Sequence, residues 1–236
     1  MDEIILKIRR ELKKNASPEN KKSSQRFFKE EIKTYGVKTP LVRQIAKRYF
    51  RKIKSPEKKK VFKLSEEFLR SGHNEEAVIA IQWLGEFQKD FEKSDFFIFE
   101  KWLEKYIDNW GKVDDFCAHS FGYLVYQFPE LLLKTRLWVN SPNRWVRRAS
   151  AVVLVFSLRK GKYLKNAFGI ADSLIEDKED LVQKGYGWML KEASNLYPQK
   201  VFNYVLKNKK KMSRTALRYA VEKLPKGMRE ESMAKN

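Results

Sequence analysis

Apolar residues recur every three or four positions along almost the whole chain. Near the start, Ile4, Ile5, Ile8 and Leu12 form one stripe, as they would on one face of a helix. No stretch alternates apolar and polar residues between hairpin turn signals. The pattern therefore predicts an all-α protein of about a dozen helices with short connections.

The predicted helices after this first stripe follow one another closely. They cover 23–35, 39–54, 59–71, 75–91, 96–107, 112–128, 130–139, 141–158, 163–176, 178–196, 199–208 and 214–224. Three of them should end at Gly36, Gly72 and Gly161, because glycine readily takes the left-handed conformation that closes a helix.

Neighbouring helices pair into units of roughly 35–45 residues, the period of HEAT-like repeats. Such pairs stack into a curved solenoid with a concave face, which this composition would make a basic groove. No linker rich in Gly, Ser or Pro interrupts the chain. We therefore expect residues 1–236 to form a single HEAT-like domain, with 226–236 as a frayed polar tail.

The charge balance points to a polyanionic partner. Lys and Arg number 50 against 30 Asp and Glu, so the net charge is +20. An excess of this size makes nucleic acid the first candidate. Because phosphates would dominate such binding, we expect it to be largely independent of base sequence.

Residue types that bind metals or form disulfides are scarce. Cys117 is the single cysteine, and His73 and His119 are the two histidines. We expect no disulfide, metal or cofactor, and we expect Cys117 and His119 to serve in packing. The opening MDEIILKIRRELKK has no uninterrupted apolar signal region, and no apolar run could span a bilayer. A monomeric cytoplasmic protein associated with the nucleoid is expected.

Three tryptophans each have a charged residue about one helical turn later. They form the motifs Trp110-Gly-Lys-Val-Asp114, Trp145-Val-Arg-Arg148 and Gly187-Trp188-Met-Leu-Lys191. Residues three or four apart share a helix face, so each indole should lie beside a charge. Indole, carboxylate and guanidinium together suit a site that handles a cation attached to a phosphate backbone.

The three tryptophans are not equivalent candidates. At helical spacing Trp145 is interpreted as a core residue. Trp188 is flanked by Gly185 and Gly187, which are unfavourable inside a helix and indicate close approach of a neighbouring helix or of DNA. Of Arg148 and its neighbour Arg147, we expect one merely to solvate a face.

Two further motifs precede the tryptophans. They are Arg26-Phe-Phe-Lys29 and Gly36-Val-Lys-Thr-Pro40, the latter followed by Arg43. With the tryptophan motifs in this order and spacing, the chain resembles the AlkD-like DNA alkylation repair glycosylases over nearly its whole length. Those proteins are HEAT-like repeat proteins of this size.

The resemblance implies an activity and a set of roles. Members hydrolyse the N-glycosidic bond of cationic N3- or N7-alkylated purines in duplex DNA, without flipping the base into a pocket. By resemblance, Asp114 is the catalytic carboxylate, Trp110 and Trp188 contact the nucleotide sugar, and Arg148 contacts its phosphate. The remaining DNA-binding candidates are Thr39, Arg43, Phe27 and Lys191.

Two positions depart from the family pattern. Phe27 stands where the family usually has Tyr, so a hydroxyl is lost and an aromatic face remains. Asp115 follows Asp114 where a small polar residue is usual. Adjacent helical residues point about 100° apart, so one of the two carboxylates faces the substrate.

Two other functions compete with the glycosylase interpretation. The first is a relative that has lost catalysis and binds bent or branched DNA. The second is a helical scaffold whose basic face recognises an acidic protein. The presence of Trp110, Asp114, Arg148 and Trp188 favours the enzyme over the first, and the net charge favours DNA over the second.

Overall fold

The computed structural model describes residues 2–53 and 56–234, and within these residues all regular structure is helical. The predicted all-α fold is confirmed. The chain forms two compact units, Met1–Asp115 and Phe116–Asn236. The single-domain organisation stays a prediction. None of the described helices is long and apolar enough to cross a membrane.

The first unit is built from short amphipathic helices. They are α1 (Glu3–Lys14), α2 (Pro18–Gln25), α3 (Thr39–Phe50), α4 (Lys58–Arg70), α5 (Asn74–Gly85), α6 (Asp95–Tyr106) and most of α7 (Trp110–Phe116). Both α3 and α4 pack against α5, and α4 also packs against α6. The buried indole of Trp83, on α5, donates from Nε1 to the Ala46 carbonyl at 3.0 Å. Helices therefore pack on near neighbours in sequence, as repeat proteins do.

The second unit opens with a π-helical turn, Cys117–Phe121. Its helices are α8 (Gly122–Gln127), α9 (Leu132–Leu137), α10 (Arg144–Val152), α11 (Val155–Arg159), α12 (Leu164–Leu174), α13 (Asp180–Ser194), α14 (Pro198–Asn208), α15 (Arg214–Ala220) and α16 (Lys226–Met233). The central helix is α13, which packs against α10, α12, α14 and α15. Its residues Tyr186 and Met189 are fully buried.

The predicted helix over 23–35 is wrong. Helix α2 begins earlier, at Pro18, and ends at Gln25, and residues 28–38 have no helical structure. The side chain of Gln25 ends the helix by bonding to the chain that follows. Its Nε2 donates to the Glu30 carbonyl at 2.8 Å, and its Oε1 accepts the Ile32 N–H at 3.1 Å.

A buried carboxylate holds the end of this irregular segment. Glu75, in the first turn of α5, accepts the backbone N–H groups of Gly36 at 2.9 Å and Val37 at 3.0 Å. It also accepts the Thr34 hydroxyl at 2.6 Å. Gly36 has the predicted positive φ of 81°, but it lies within this irregular segment and caps no helix. A Cβ at Gly36 would collide with the Ser17 carbonyl oxygen.

The neighbouring Glu76 is also buried and bonds to other parts of the first unit. It accepts Arg9 Nη2 at 2.8 Å and the Tyr35 hydroxyl at 2.7 Å. Burial and the bond to Glu76 raise the pKa of the Tyr35 hydroxyl. The Tyr35 ring stacks on His73 with centroids 4.3 Å apart, and burial lowers the pKa of that imidazole. The two carboxylates thus connect α1, the irregular segment and α5.

Several predicted helices are interrupted or shorter than expected. The helix predicted to reach Lys54 ends at Phe50, and Lys54 lies outside the described residues. The one predicted over 75–91 ends at Gly85 and is followed by a 3₁₀ turn, Gln88–Asp90. The one predicted over 112–128 contains the π turn Cys117–Phe121. Gly122 is needed there, because a Cβ would lie 2.9 Å from Phe156 Cβ.

The helix predicted over 141–158 consists of α10 and α11. Between them the Leu154 N–H bonds to the Ala151 carbonyl, three residues back, which tightens the chain. The predicted helix ends at Gly72 and Gly161 are confirmed, with φ of 77° and 71°.

The expected frayed tail is instead helical over Lys226–Met233, while 235–236 lie outside the described residues. This helix packs against α14 and buries Ser232 completely. Arg214 donates to the Met233 carbonyl at 3.3 Å, which satisfies a helix end that would otherwise fray.

We expect Glu75→Ala to lower the free energy of unfolding by about 3 kcal/mol, because two buried N–H groups and a hydroxyl would lose their acceptor. Glu104→Ala, on the exposed face of α6, should change it by less than about 0.5 kcal/mol. Urea titrations followed by circular dichroism provide the comparison. Equal effects of the two changes would contradict the role of Glu75.

Candidate active site and nucleic-acid interface

The first turn of α7 is fixed to the start of α5. Asn109 caps α7 by accepting the Lys112 N–H at 3.1 Å, and its amide donates to Asn74 Oδ1 at 2.9 Å. The buried Lys112 ammonium donates to the Gly72 carbonyl at 2.7 Å and to Asp108 at 2.8 Å. These bonds place Trp110, the first residue of α7, in a fixed orientation.

The indole of Trp110 is held at its edge and on one face. Its Nε1 donates to the Phe27 carbonyl at 3.2 Å. The Phe28 ring stacks on it with centroids 5.1 Å apart and planes inclined by 20°. The residue is half-buried, so part of its surface is open to solvent.

Asp114 lies one helical turn after Trp110 on α7, as the spacing predicts, and it is half-buried. Asp115 is half-buried as well, so burial does not distinguish the two carboxylates. The π turn Cys117–Phe121 follows directly, and such turns are frequent at functional sites. Cys117 is buried, as predicted, whereas the packing role predicted for His119 is wrong because its side chain is exposed.

Three other candidates of the first unit are exposed to solvent. Phe27 is 72% exposed, although its carbonyl is bound to Trp110. Thr39 and Arg43 lie in the first two turns of α3, four residues apart and therefore on one face. Each can contact a DNA backbone without rearrangement of the core.

Arg148 is buried, with 5% of its surface exposed. Its guanidinium donates to the Leu181 carbonyl, and its stem crosses α13 at Gly185, where a Cβ would lie 3.0 Å from Arg148 Cγ. Arg147 bonds to Asp177 at 2.7 Å. The expectation that one of these arginines only solvates a face is therefore wrong. A phosphate contact by Arg148 stays a prediction.

Trp188 is half-buried on α13, and its indole N–H is used within the protein. It donates to Glu192 Oε1 at 2.9 Å, and the other carboxylate oxygen pairs with Arg159 Nε at 2.8 Å. Burial would raise the pKa of Glu192, but the hydrogen bonds from Arg159 and Trp188 outweigh it and hold the pKa below its usual range. Trp188 therefore presents ring surface and no free N–H.

The glycine beside Trp188 allows a neighbouring helix to approach closely. A Cβ on Gly187 would lie 2.8 Å from Tyr219 Cβ and 2.9 Å from the Ala216 carbonyl oxygen. Of the two alternatives left open by the sequence, a close helix contact accounts for Gly187. Lys191, one turn after Trp188, pairs with Glu222 at 2.6 Å.

Trp145 is a core residue, as predicted, with 7% of its surface exposed. The Arg144 guanidinium lies over its ring, 4.6 Å from the ring centroid.

Three residues that hold candidate side chains within the separate units were missed from the sequence. Phe28 stacks on Trp110, Lys112 anchors the start of α7, and Glu192 holds Trp188. Glu192 could have been found from its spacing of four residues from Trp188. The other two depend on partners distant in sequence. Among the described residues, no three His, Cys, Asp or Glu side chains are grouped as a metal site requires.

Comparisons with known proteins identify the family and the fold. A family model described as DNA alkylation repair enzyme matches residues 8–224. A solved structure, described as a predicted DNA alkylation repair enzyme from Enterococcus faecalis, aligns with a TM-score of 0.78 at 20% sequence identity. The alignment covers 90% of this chain and 98% of that chain, which shows a shared fold. No curated protein sequence matches this chain.

We expect the Arg159–Glu192 pair to contribute roughly 1 kcal/mol to stability at neutral pH. The pKa of Glu192 is lowered in the folded protein, so this contribution is present above the unfolded pKa, near 4.5, and is lost as pH falls through the folded pKa. A double-mutant cycle with Arg159→Gln and Glu192→Gln, measured by urea unfolding at pH 7 and pH 3, checks this. A coupling energy that is the same at both pH values would contradict the assignment.

Proposed function

Because the chain belongs to the DNA alkylation repair enzyme family, we propose that it is a monofunctional DNA glycosylase that hydrolyses the N-glycosidic bond of cationic N3- and N7-alkylated purines. The observation that carries this proposal is the arrangement on α7. The Trp110 indole is fixed by Phe27 and Phe28, and a half-buried carboxylate, Asp114, lies on the next turn.

The chemistry needs a fixed negative charge more than it needs an acid. Alkylation at N3 or N7 makes the base a cation and therefore a good leaving group. As the bond to the sugar breaks, positive charge moves onto the sugar. A preorganised carboxylate stabilises that charge and orients or deprotonates the attacking water. We assign this role to Asp114, in a reaction without metal or cofactor.

The tryptophans supply surfaces that attract a cation. An indole face contributes roughly 0.5–2 kcal/mol to such an interaction. The N–H groups of Trp110 and Trp188 are bound to the Phe27 carbonyl and to Glu192, so the ring surfaces are what remains for the damaged nucleotide. We assign both residues to contacts with its sugar.

Binding to duplex DNA would depend mainly on phosphate contacts and little on base sequence, because the chain carries a net charge of +20. Exposed candidates for these contacts are Phe27, Thr39 and Arg43. Lys191 would donate a second N–H to a phosphate while it stays paired with Glu222, and Arg148 would act from its buried position through the end of its guanidinium. A monomer acting at the nucleoid suffices for this function.

The departure at Phe27 is compatible with the proposal. Its contact with Trp110 uses the main-chain carbonyl, which any residue supplies. The lost hydroxyl therefore leaves the orientation of Trp110 intact, while the exposed phenyl ring can still contact DNA.

A non-catalytic protein that binds bent or branched DNA is the second candidate. It is favoured by the departures at Phe27 and Asp115, the latter a second half-buried carboxylate where the family usually has a small polar residue. The two candidates differ in one measurable property, the release of free base.

We expect Asp114→Asn to lower the rate of 7-methylguanine release by 10²–10³-fold, because the change keeps the shape and removes the charge. Binding to the duplex should be unchanged or tighter. Single-turnover release from methylated duplex DNA, with EDTA present throughout, gives the measurement. Asp115→Asn is the matched control, and a larger loss in that variant would transfer the role to Asp115. No release by the wild type would favour the non-catalytic candidate.

We expect the enzyme to excise 3-methyladenine and 7-methylguanine and to tolerate larger N3 or N7 substituents. Selectivity would follow the lability of the glycosidic bond and not the fit of a base in a closed pocket. Uracil and neutral oxidised purines are poor leaving groups and should remain. A panel of duplexes with single lesions tests this range. Efficient uracil release, or sharp loss of activity with larger alkyl groups, would show that a conventional base pocket operates.

A further inference from the structure

Helices α13, α15 and α16 border a cleft of about 700 Å³ in the second unit. Its cationic lining residues are Lys184, Arg218 and Arg229. Thr215 adds a hydroxyl, and Tyr219 and Met233 add apolar surface. The site proposed for catalysis makes no use of this cleft.

Some of the charged residues that line the cleft have an ion-pair partner among the described residues, and others have none there. Lys184 pairs with Asp180 at 2.7 Å, and the lining carboxylate of Glu222 is neutralised by Lys191 at 2.6 Å. Within residues 2–53 and 56–234, neither Arg218 nor Arg229 has a carboxylate within ion-pair distance. Glu230 also lines the cleft and pairs with Lys226 at 3.9 Å, so both lining carboxylates have cationic partners of their own. Two guanidinium groups with no carboxylate at ion-pair distance suit a phosphate, which accepts several N–H bonds at once.

The cleft continues the face of α13 that carries Trp188. Lys184, Trp188 and Lys191 follow one another at spacings of four and three residues, so they share a helix face. The close approach at Gly187 brings α15 against this face, and Glu222 is bonded to Lys191. A strand that contacts Trp188 would therefore meet the cleft next.

We propose that this cleft binds a backbone phosphate of the DNA strand beyond the damaged nucleotide. Arg218 and Arg229 donate to the phosphate oxygens, Thr215 adds a hydroxyl donor, and Tyr219 and Met233 contact the deoxyribose. The assignment of DNA as the ligand rests on the proposed function. The site contributes to affinity and register and takes no part in bond cleavage.

The double variant Arg218→Gln with Arg229→Gln tests the proposal. Fluorescence anisotropy with an undamaged labelled duplex is measured from low to physiological salt. We expect affinity at physiological salt to fall about tenfold and the slope of log K against log salt to lose about one unit. Thermal melting of both proteins confirms that the variant is folded, since both arginines are at the surface.

A matched control removes two cations from another cleft of the same unit. Arg136 and Lys165 line a cleft of about 400 Å³ between α9 and α12, on helices that the proposal does not involve. Arg136→Gln with Lys165→Gln should leave the salt slope within error of wild type. If the control variant loses as much of the salt slope as the first variant, the effect is due to net charge alone and the proposal is wrong. An unchanged slope in the first variant would also contradict the proposal.

Binding and excision separate this proposal from the proposed function. The anisotropy measurements use undamaged DNA, so absence of base excision would refute the glycosylase while leaving the salt slopes of the two double variants to decide on the cleft.

Discussion

The first unit depends on two buried carboxylates in the first turn of α5. A chain that leaves the helical conformation loses its internal hydrogen bonds, and buried N–H groups must then find acceptors elsewhere. Glu75 provides them for Gly36 and Val37, while Glu76 binds Arg9 and Tyr35. The start of a helix favours negative charge, which lowers the cost of placing two carboxylates there. Without these carboxylates, buried polar groups of the segment between α2 and α3 would lack partners, which would disfavour its irregular conformation.

The same end of α5 also orients the candidate catalytic helix. Asn74 accepts from Asn109, and the Gly72 carbonyl accepts from the buried Lys112 ammonium. The irregular segment supplies the Phe27 carbonyl and the Phe28 ring that hold Trp110. Trp110 is thus oriented by parts of the chain that are distant in sequence. A site whose groups are held before the ligand arrives needs little reorganisation during reaction, which is the main source of electrostatic catalysis.

The sequence was informative where structure is local and uninformative where it depends on distant partners. Helical periodicity and the glycines at 72 and 161 locate helices to within a few residues, because both signals act within one turn. The spacing of Trp110 and Asp114 holds for the same reason. The apolar residues within 28–38 have a spacing compatible with a helix. The segment is nevertheless irregular, and it bonds to Glu75, which lies far along the chain. The break between α10 and α11 has no glycine or proline to mark it. The bond of Arg148 to the Leu181 carbonyl likewise depends on tertiary packing.

The net charge creates a difficulty that the indole groups resolve under the proposed function. A chain of +20 attracts DNA but repels a cationic base, so lysine or arginine at the lesion would oppose binding of the substrate. An indole has a negative face and a positive edge. In both candidate tryptophans the N–H on that edge is bonded to a protein oxygen, of Phe27 in one case and of Glu192 in the other. The positive edge is therefore turned into the protein and the ring surface is left for the ligand. Under the proposed function, lysines and arginines then attract the phosphates, while the aromatic faces and Asp114 stabilise the positive charge of the damaged nucleotide.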